Sequence, residues 1–327
     1  MKILLFQQHK FGLWNPPDWV ADELQKRFPQ TQVVHPATPE AVLEEIADAE
    51  VAVGATLTPQ HLAAARKLRW LHSPAAAVHQ YMYPEFLANA VVLTNGRSVF
   101  AAAVAEHVIA LIFALARQIP ACVRFQDRNT WGQQLLWESK PGVRDVAGAT
   151  LGMVGMGAIG VEVVRRASAL GMKVVAVRQH PEKPAEGISA VFGPQDLGKL
   201  LAQSDFTVLA APVTPATKHL IGAAELARMK PDGYLVNVGR GVLIDEVSLA
   251  DALRAKRIVG AALDVFEEEP LPPGSPLWAL ENLLITPHCG GFVENLWQRH
   301  VAVISENLRR YVAGEPLLGL VDKSQGY

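Results

Sequence analysis

The chain has 327 residues, half of them hydrophobic and 19% charged, with a formal net charge of -2 at pH 7. That length and composition fit a soluble globular chain of two domains, long enough to bury a sizeable core. The charge balance offers no basic stripe for nucleic acid and no polybasic surface for a membrane, while small anionic substrates remain compatible through local cationic groups.

Strand and helix alternate through the first hundred residues. Lys2–Phe6 reads as a strand, Asp18–Phe28 as a helix, Gln32–Val34 as a strand and Pro39–Ile46 as a helix. Val51–Val53, Pro59–Ala65, Trp70–Leu71 and Val91–Leu93 continue the alternation as strand, helix, strand and strand. This is the pattern of a small parallel α/β unit. The opening MKILLFQQHK is too short an apolar run for a secretory signal and fits a first buried strand. Val99–Ala116 has the length of a membrane span, but Glu106 and His107 in its middle favour a buried interdomain helix. Cys122 and Cys289 form no disulfide framework, no CxxC pair and no metal-ligand spacing, so a reducing cytosol is the expected compartment.

After an irregular stretch rich in Trp and Gln, alternation restarts at Thr150. Strands are expected at Thr150–Val154, Lys173–Val177, Phe206–Leu209, Tyr234–Val238, Val259–Leu263 and Leu283–Ile285, enough for a complete dinucleotide fold. The last helix, Glu294–Ala313, follows the sixth strand and is expected to return to the N-terminal unit. The fold class is therefore α/β: a Rossmann dinucleotide-binding domain (99–288) inserted in a flavodoxin-like substrate domain built from both chain ends (1–98 and 289–327). The active site is expected in the cleft between them.

The most specific local signal is GMGAIG, namely Gly155, Met156, Gly157, Ala158, Ile159 and Gly160, between an apolar strand and an amphipathic helix. Gly155 permits a sharp turn, Gly157 lets backbone approach a phosphate and Gly160 allows close helix packing. Unpaired N–H groups and the helix dipole then hold the pyrophosphate. At the end of the second strand, where NAD-binding members of the fold carry an acidic residue, stand Arg178, Gln179 and His180. Arginine matches a 2′-phosphate bidentately, so NADP(H) is favoured and NAD(H) remains possible.

Three polar residues follow strands of the second half: Arg240 in NVGRG, Glu269 in LDVFEEEPLPP and His288 in TPHCGG. In a doubly wound sheet such strand ends share one rim with the nicotinamide. With the fingerprint, APVTPATKHLIG (Ala211–Gly222) and the closing VDKSQGY, these segments match in order and spacing the D-isomer-specific 2-hydroxyacid dehydrogenases. The whole chain resembles that family, which includes glyoxylate/hydroxypyruvate reductases, D-glycerate dehydrogenases and phosphoglycerate dehydrogenases.

The resemblance implies Arg240 as substrate anchor, His288 as acid/base and Glu269 as its partner. Reduction of a 2-keto acid needs a hydride at the carbonyl carbon, a proton at its oxygen and a held carboxylate. Arg240 can bind carboxylate and carbonyl oxygens together. Glu269 on the other ring nitrogen of His288 is expected to favour the imidazolium, raising its pKa above the free value of about 6.5. The resemblance further implies that Asp264 meets the nicotinamide carboxamide and that Pro212, Thr214, Thr217, Val238, Gly239, His288 and Gly290 line the cofactor. Ala75, Ala76 and Ala77 occupy the loop whose N–H groups hold the substrate carboxylate, where the family usually has glycine. Asn95, Gly96 and Arg97 could lie at the hinge or cleft, Arg97 equally as a solvated cation, and Asp245 fits a helix cap.

The expected activity is NAD(P)-dependent reduction of a small 2-keto acid, such as glyoxylate or hydroxypyruvate, to the D-2-hydroxy acid. A dinucleotide-binding scaffold or corepressor on the same fold is the alternative, although such proteins carry extra tails. Formate enzymes similar to this family have an amide where Glu269 stands, and the long regulated phosphoglycerate dehydrogenases extend beyond the position of Tyr327. No clustered ligand set points to a metal. Tyr81, Tyr83, Trp131, Trp137 and Trp297 are candidates for the cleft wall or a packed surface. A cytoplasmic homodimer is expected by the resemblance, through the long helix and Ala121–Val146.

Overall fold

A computed structural model of the chain describes residues 1–6, 9, 11–54, 57–182 and 186–326, so Tyr327 of the closing segment and Gln7, Gln8 and Lys10 of the opening one lie outside the described residues. Two units result, Met1–Phe100 with Val293–Tyr327, and Ala101–Phe292.

In the first unit, strands β1 (Lys2–Leu5), β2 (Gln32–Val34), β3 (Val51–Val53), β4 (Trp70–Ser73) and β5 (Val92–Asn95) form a parallel sheet in the order β2-β1-β3-β4-β5. This is the flavodoxin-like order. Side chains alternate across it: Ile3, Leu5, Val51, Val53 and Trp70 enter one core, and Leu4, Phe6, Ala52 and Leu71 the other. The first core is covered by the helix Asp18–Arg27 and by Trp297, Val301, Ile304 and Leu308 of the C-terminal helix Leu296–Ala313. Burying each such aliphatic side chain contributes roughly 1.5–3 kcal/mol, which is why the distant chain end docks here. Gly314, at φ 68°, ends that helix in the left-handed conformation. Buried Asn307 then exchanges two hydrogen bonds with the Leu318 backbone, at 3.0 and 2.7 Å.

In the second unit, β6 (Thr150–Val154), β7 (Lys173–Val177), β8 (Ala190–Phe192), β9 (Phe206–Leu209), β10 (Tyr234–Asn237), β11 (Gly260–Leu263) and β12 (Leu283–Ile285) make a parallel sheet ordered β12-β11-β10-β9-β6-β7-β8. The order reverses between β6 and β9, the switch point at which doubly wound sheets open a ligand crevice. β9, β10 and β11 are buried along their whole length, as strands covered on both faces must be. Because every pairing is parallel, all seven carboxyl ends emerge on one rim.

The structure adds a strand to the six expected here. β8 is three half-buried residues on the sheet edge, too short to show a period. The stretch after the long helix is also not irregular throughout: it contains the helices Ile119–Asp127 and Gln133–Glu138. Gln118, at φ 52°, breaks the preceding helix and Pro120 suits the next first turn. The helix Arg97–Ala116 is long and apolar enough to cross a membrane, yet 61% of its most apolar window is buried inside the protein.

Candidate active site

The rim of the second unit is shaped first by glycines. Gly155 follows β6 at φ 97°, and a Cβ there would lie 2.7 Å from the Ala210 carbonyl oxygen. A Cβ on Gly160 would stand 2.3 Å from the Gly155 oxygen, so the helix Ala158–Ala169 can pack this close only with glycine at 160. Gly157 caps that helix without a side-chain hydrogen bond and has open space where its Cβ would be. The helix thus presents uncapped N–H groups to a clear space, a cradle that fits a pyrophosphate. Met156, Ala158 and Ile159 complete the turn and are half-buried.

Arg178 follows β7, half-buried, and its N–H donates to the Phe192 carbonyl at 3.1 Å, linking it to β8; Gln179 and His180 beside it are exposed. After β9, the Thr217 hydroxyl donates to the Pro212 carbonyl at 2.8 Å and accepts from the Thr214 N–H at 2.8 Å, closing the turn.

After β10, buried Asn237 receives the Gly239 N–H at 3.0 Å and donates to the Arg240 carbonyl at 2.9 Å, fixing Val238, Gly239 and Arg240 as one loop. A Cβ on Gly241 would fall 1.8 Å from the Phe266 carbonyl carbon. Glycine at that point therefore lets the Arg240 loop lie against the loop that carries Glu269. The Arg240 guanidinium donates to the Gly239 oxygen at 2.6 Å. Burial makes it less basic than usual, partly offset by the charge of Glu269.

Glu269 accepts the Phe266 N–H at 2.9 Å through Oε1 and meets His288 Nδ1 at 2.5 Å through Oε2. Burial pushes its pKa up, but the hydrogen bonds to His288 and Phe266, with the charges of His288 and Arg240, outweigh that and hold it below the usual range. It is therefore a carboxylate at neutral pH, and the Nδ1 contact leaves His288 Nε2 free to face a substrate. His288 sits at φ 51°, a left-handed conformation uncommon for a residue other than glycine, and its N–H donates to the Thr286 oxygen at 3.0 Å.

Asp264, just beyond β11, is 3% exposed. Its Oδ1 accepts from the Thr286 hydroxyl at 2.7 Å and the Cys289 N–H at 3.0 Å, and its Oδ2 from the Gly290 N–H at 3.0 Å. Burial raises its pKa, but the hydrogen bonds from His107, Thr286, Gly290 and Cys289 reverse this and hold it low. Asp264 thus ties the His288 loop to the sheet. Asp245 caps the helix Glu246–Arg254 by accepting the Val247 and Ser248 N–H groups.

Ala75, Ala76 and Ala77 belong to the first unit and follow β4. Their loop is pinned by the Gly96 N–H to the Ala75 oxygen at 3.2 Å and the Asn95 amide to the Ala76 oxygen at 2.8 Å. Arg97 is not simply solvated: it donates to the Leu320 carbonyl at 3.0 Å. Of the candidate wall residues, Tyr81 is buried and donates to the Gly54 oxygen at 2.6 Å, Tyr83 donates to the Leu57 oxygen at 2.9 Å and Trp297 donates to the Leu13 oxygen at 2.9 Å, so all three pack within their own unit.

The sequence shows no clustered ligand set, but folding brings ligand atoms of His107, Asp264 and Cys289 within 4.8 Å of one another. His107 was missed because it comes from the long helix, far from the other two in sequence; only its polarity within an apolar run marked it.

Sheet order and rim together define a dinucleotide-binding α/β protein. Residues 109–290 match the model of the D-isomer specific 2-hydroxyacid dehydrogenase NAD binding domain. The chain is 34% identical to the glyoxylate reductase of Korarchaeum cryptofilum, over 88% of this chain and 87% of that one. It is also 34% identical to the D-3-phosphoglycerate dehydrogenase of Methanocaldococcus jannaschii, of which it spans 54%. Among solved structures, the NADPH-dependent glyoxylate/hydroxypyruvate reductase of Sinorhizobium meliloti, in complex with NADP and sulfate, aligns with a TM-score of 0.83 and 25% identity over 100% of both chains. The chain belongs to the D-isomer specific 2-hydroxyacid dehydrogenase family.

The Asp264 clamp has a consequence for stability. A carboxylate whose pKa is depressed by folding stabilises above its unfolded value, about 3.9, and loses that contribution as pH falls through its folded value. Asp264→Asn leaves buried N–H donors facing an amide and is expected to cost about 1–3 kcal/mol near neutrality. In urea titrations across pH, the gap between wild type and variant should shrink below about pH 4. A gap that stays unchanged throughout the acid range below about pH 4 would show that Asp264 does not act as an ionised clamp.

Proposed function

We propose that this protein reduces a small 2-keto acid, such as glyoxylate or hydroxypyruvate, to the D-2-hydroxy acid, with NADP(H) preferred over NAD(H). The observation that carries the reading is the 2.5 Å contact between Glu269 and His288 on the rim that also carries Arg240. Arg240 anchors the substrate carboxylate and polarises the carbonyl. His288 Nε2 gives its proton to the carbonyl oxygen in reduction and takes it back in oxidation. Glu269 holds the ring through Nδ1 and stabilises the imidazolium before transfer. A nicotinamide cofactor, when bound, supplies the hydride.

On this reading Gly155, Gly157 and Gly160 hold the pyrophosphate, Pro212, Thr217, Val238, Gly239 and Gly290 line the cofactor, and Asp264 accepts a hydrogen bond from the carboxamide. The first unit acts as substrate domain, with backbone N–H groups of Ala75–Ala77 on the carboxylate. Arg178 supports the NADP(H) preference, since a guanidinium at the end of β7 suits a 2′-phosphate where a carboxylate would repel it; the Sinorhizobium relative, described as NADPH-dependent, agrees.

We further infer that the chain works as a homodimer. Trp131 and Trp137, on and beside the helix Gln133–Glu138, are 89% and 87% exposed, with Ile119, Val123 and Leu135 exposed nearby. So much apolar surface marks an interaction site. Sedimentation equilibrium should give a dimer, and Trp137→Asp with Leu135→Asp should shift it toward monomer. A wild-type monomer at micromolar concentration would refute this.

For the reaction, a panel of 2-keto acids assayed with both reduced cofactors is the test. Turnover is expected with glyoxylate or hydroxypyruvate, with a lower KM for NADPH than for NADH. His288→Asn should reduce it by about 100-fold or more, within the range for a lost general acid. Cofactor binding without oxidation would favour the scaffold reading, a clear NADH preference would overturn the role given to Arg178, and near-normal turnover in His288→Asn would remove that residue from the mechanism.

A further inference from the structure

His107, Asp264 and Cys289 come from three separate places: the helix Arg97–Ala116, the end of β11 and the residue after His288. Their ligand atoms nevertheless lie within 4.8 Å of one another. His107 Nε2 stands 3.4 Å from Asp264 Oδ1, close to the edge of a tetrahedron whose metal bonds are about 2.0–2.1 Å. The Cys289 sulfur lies within the same 4.8 Å of that carboxylate. Two further features keep the cluster open and oriented. The carboxylate is fixed by Thr286 and by the Cys289 and Gly290 N–H groups, the outer support that metal ligands need. At Gly290 a Cβ would stand 2.9 Å from Asp264 Oδ2 and 3.1 Å from the His107 ring, so glycine there leaves the space between them free.

We propose that His107, Asp264 and Cys289 form a site for a thiophilic divalent cation, Zn²⁺ or Cd²⁺, whose occupancy excludes the nicotinamide end of the cofactor. One imidazole, one carboxylate and one thiolate with a fourth position open are a donor set for zinc. The sulfur disfavours Mg²⁺ and Ca²⁺, which take oxygen ligands. On binding, the thiol gives up its proton, so that Cys–SH and the cation yield a Cys–S–metal bond and one H⁺. The imidazole enters neutral with its proton on Nδ1, exchanging the 3.1 Å contact of Nε2 with the Thr286 hydroxyl for the metal. The carboxylate enters already ionised. The exclusion rests on the reading of Asp264 as partner of the carboxamide: an oxygen engaged with the cation is withdrawn from that role, so the two ligands compete.

The full chain, free of metal, is titrated with Zn²⁺ against a chromophoric chelator, and with Cd²⁺ while the ultraviolet sulfur-to-cadmium charge-transfer band is followed. One cation per chain is expected. Cys289→Ser should abolish the Cd²⁺ band, and Cys289→Ser and His107→Gln should each weaken Zn²⁺ binding by about tenfold or more. Without metal, Cys289→Ser should keep wild-type turnover while escaping inhibition by Zn²⁺. Saturating NADPH should weaken Zn²⁺ binding to wild type in the same measurement. Absence of stoichiometric binding, or equal binding by the Ser variant, overturns the site. Zn²⁺ bound through Cys289 but indifferent to NADPH overturns the exclusion, and with it the carboxamide role of Asp264, whereas the oxidoreductase reading fails separately, in the keto-acid panel.

Discussion

A carboxylate kept ionised against an imidazole is the interaction on which the site depends. Glu269 is partly buried, which alone would favour its neutral form. The Phe266 N–H and the contact with His288 Nδ1 outweigh that cost, and they do so only because two loops from different strands meet there. The Arg240 loop joins them for a backbone reason: Gly241 leaves no side chain between that loop and the Phe266 carbonyl. One small residue thus lets the Arg240 loop lie beside the loop that carries Glu269.

The same economy governs Asp264. It closes β11, receives two backbone N–H groups from the segment after His288 and orients the Thr286 hydroxyl. A group with so many donors is held in one orientation. Its position also explains why a neighbouring thiol and imidazole gather on it: the nearest strong acceptor in a crowded rim collects every donor within reach.

Much of this was legible in the sequence. The inner strands β6, β9, β10 and β11 are short apolar runs followed by polar punctuation, which sets Gly155, Arg240 and Asp264 at strand ends from the sequence alone. Glu269 and His288 were legible through order and spacing. Their 2.5 Å contact was not, since it depends on loop closure. β8 escaped because three edge residues show no period. The helices Ile119–Asp127 and Gln133–Glu138 escaped because they are short, nine and six residues, and carry their apolar residues Ile119, Val123 and Leu135 outward rather than on a core face. Tyr81, Tyr83 and Trp297 show the opposite limit: an aromatic with a polar tip reads alike whether it lines a cleft or hydrogen-bonds a carbonyl inside its own unit.

The role of the carboxylate–imidazole pair is tested most directly by the pH dependence of kcat/KM for keto-acid reduction in wild type and Glu269→Gln. Loss of the negative partner should lower the rate by about tenfold or more and remove the acid limb that wild type shows where Glu269, held below the usual carboxylate range, takes up its proton. Profiles that coincide in both rate and pH dependence would contradict the coupling of Glu269 to proton transfer.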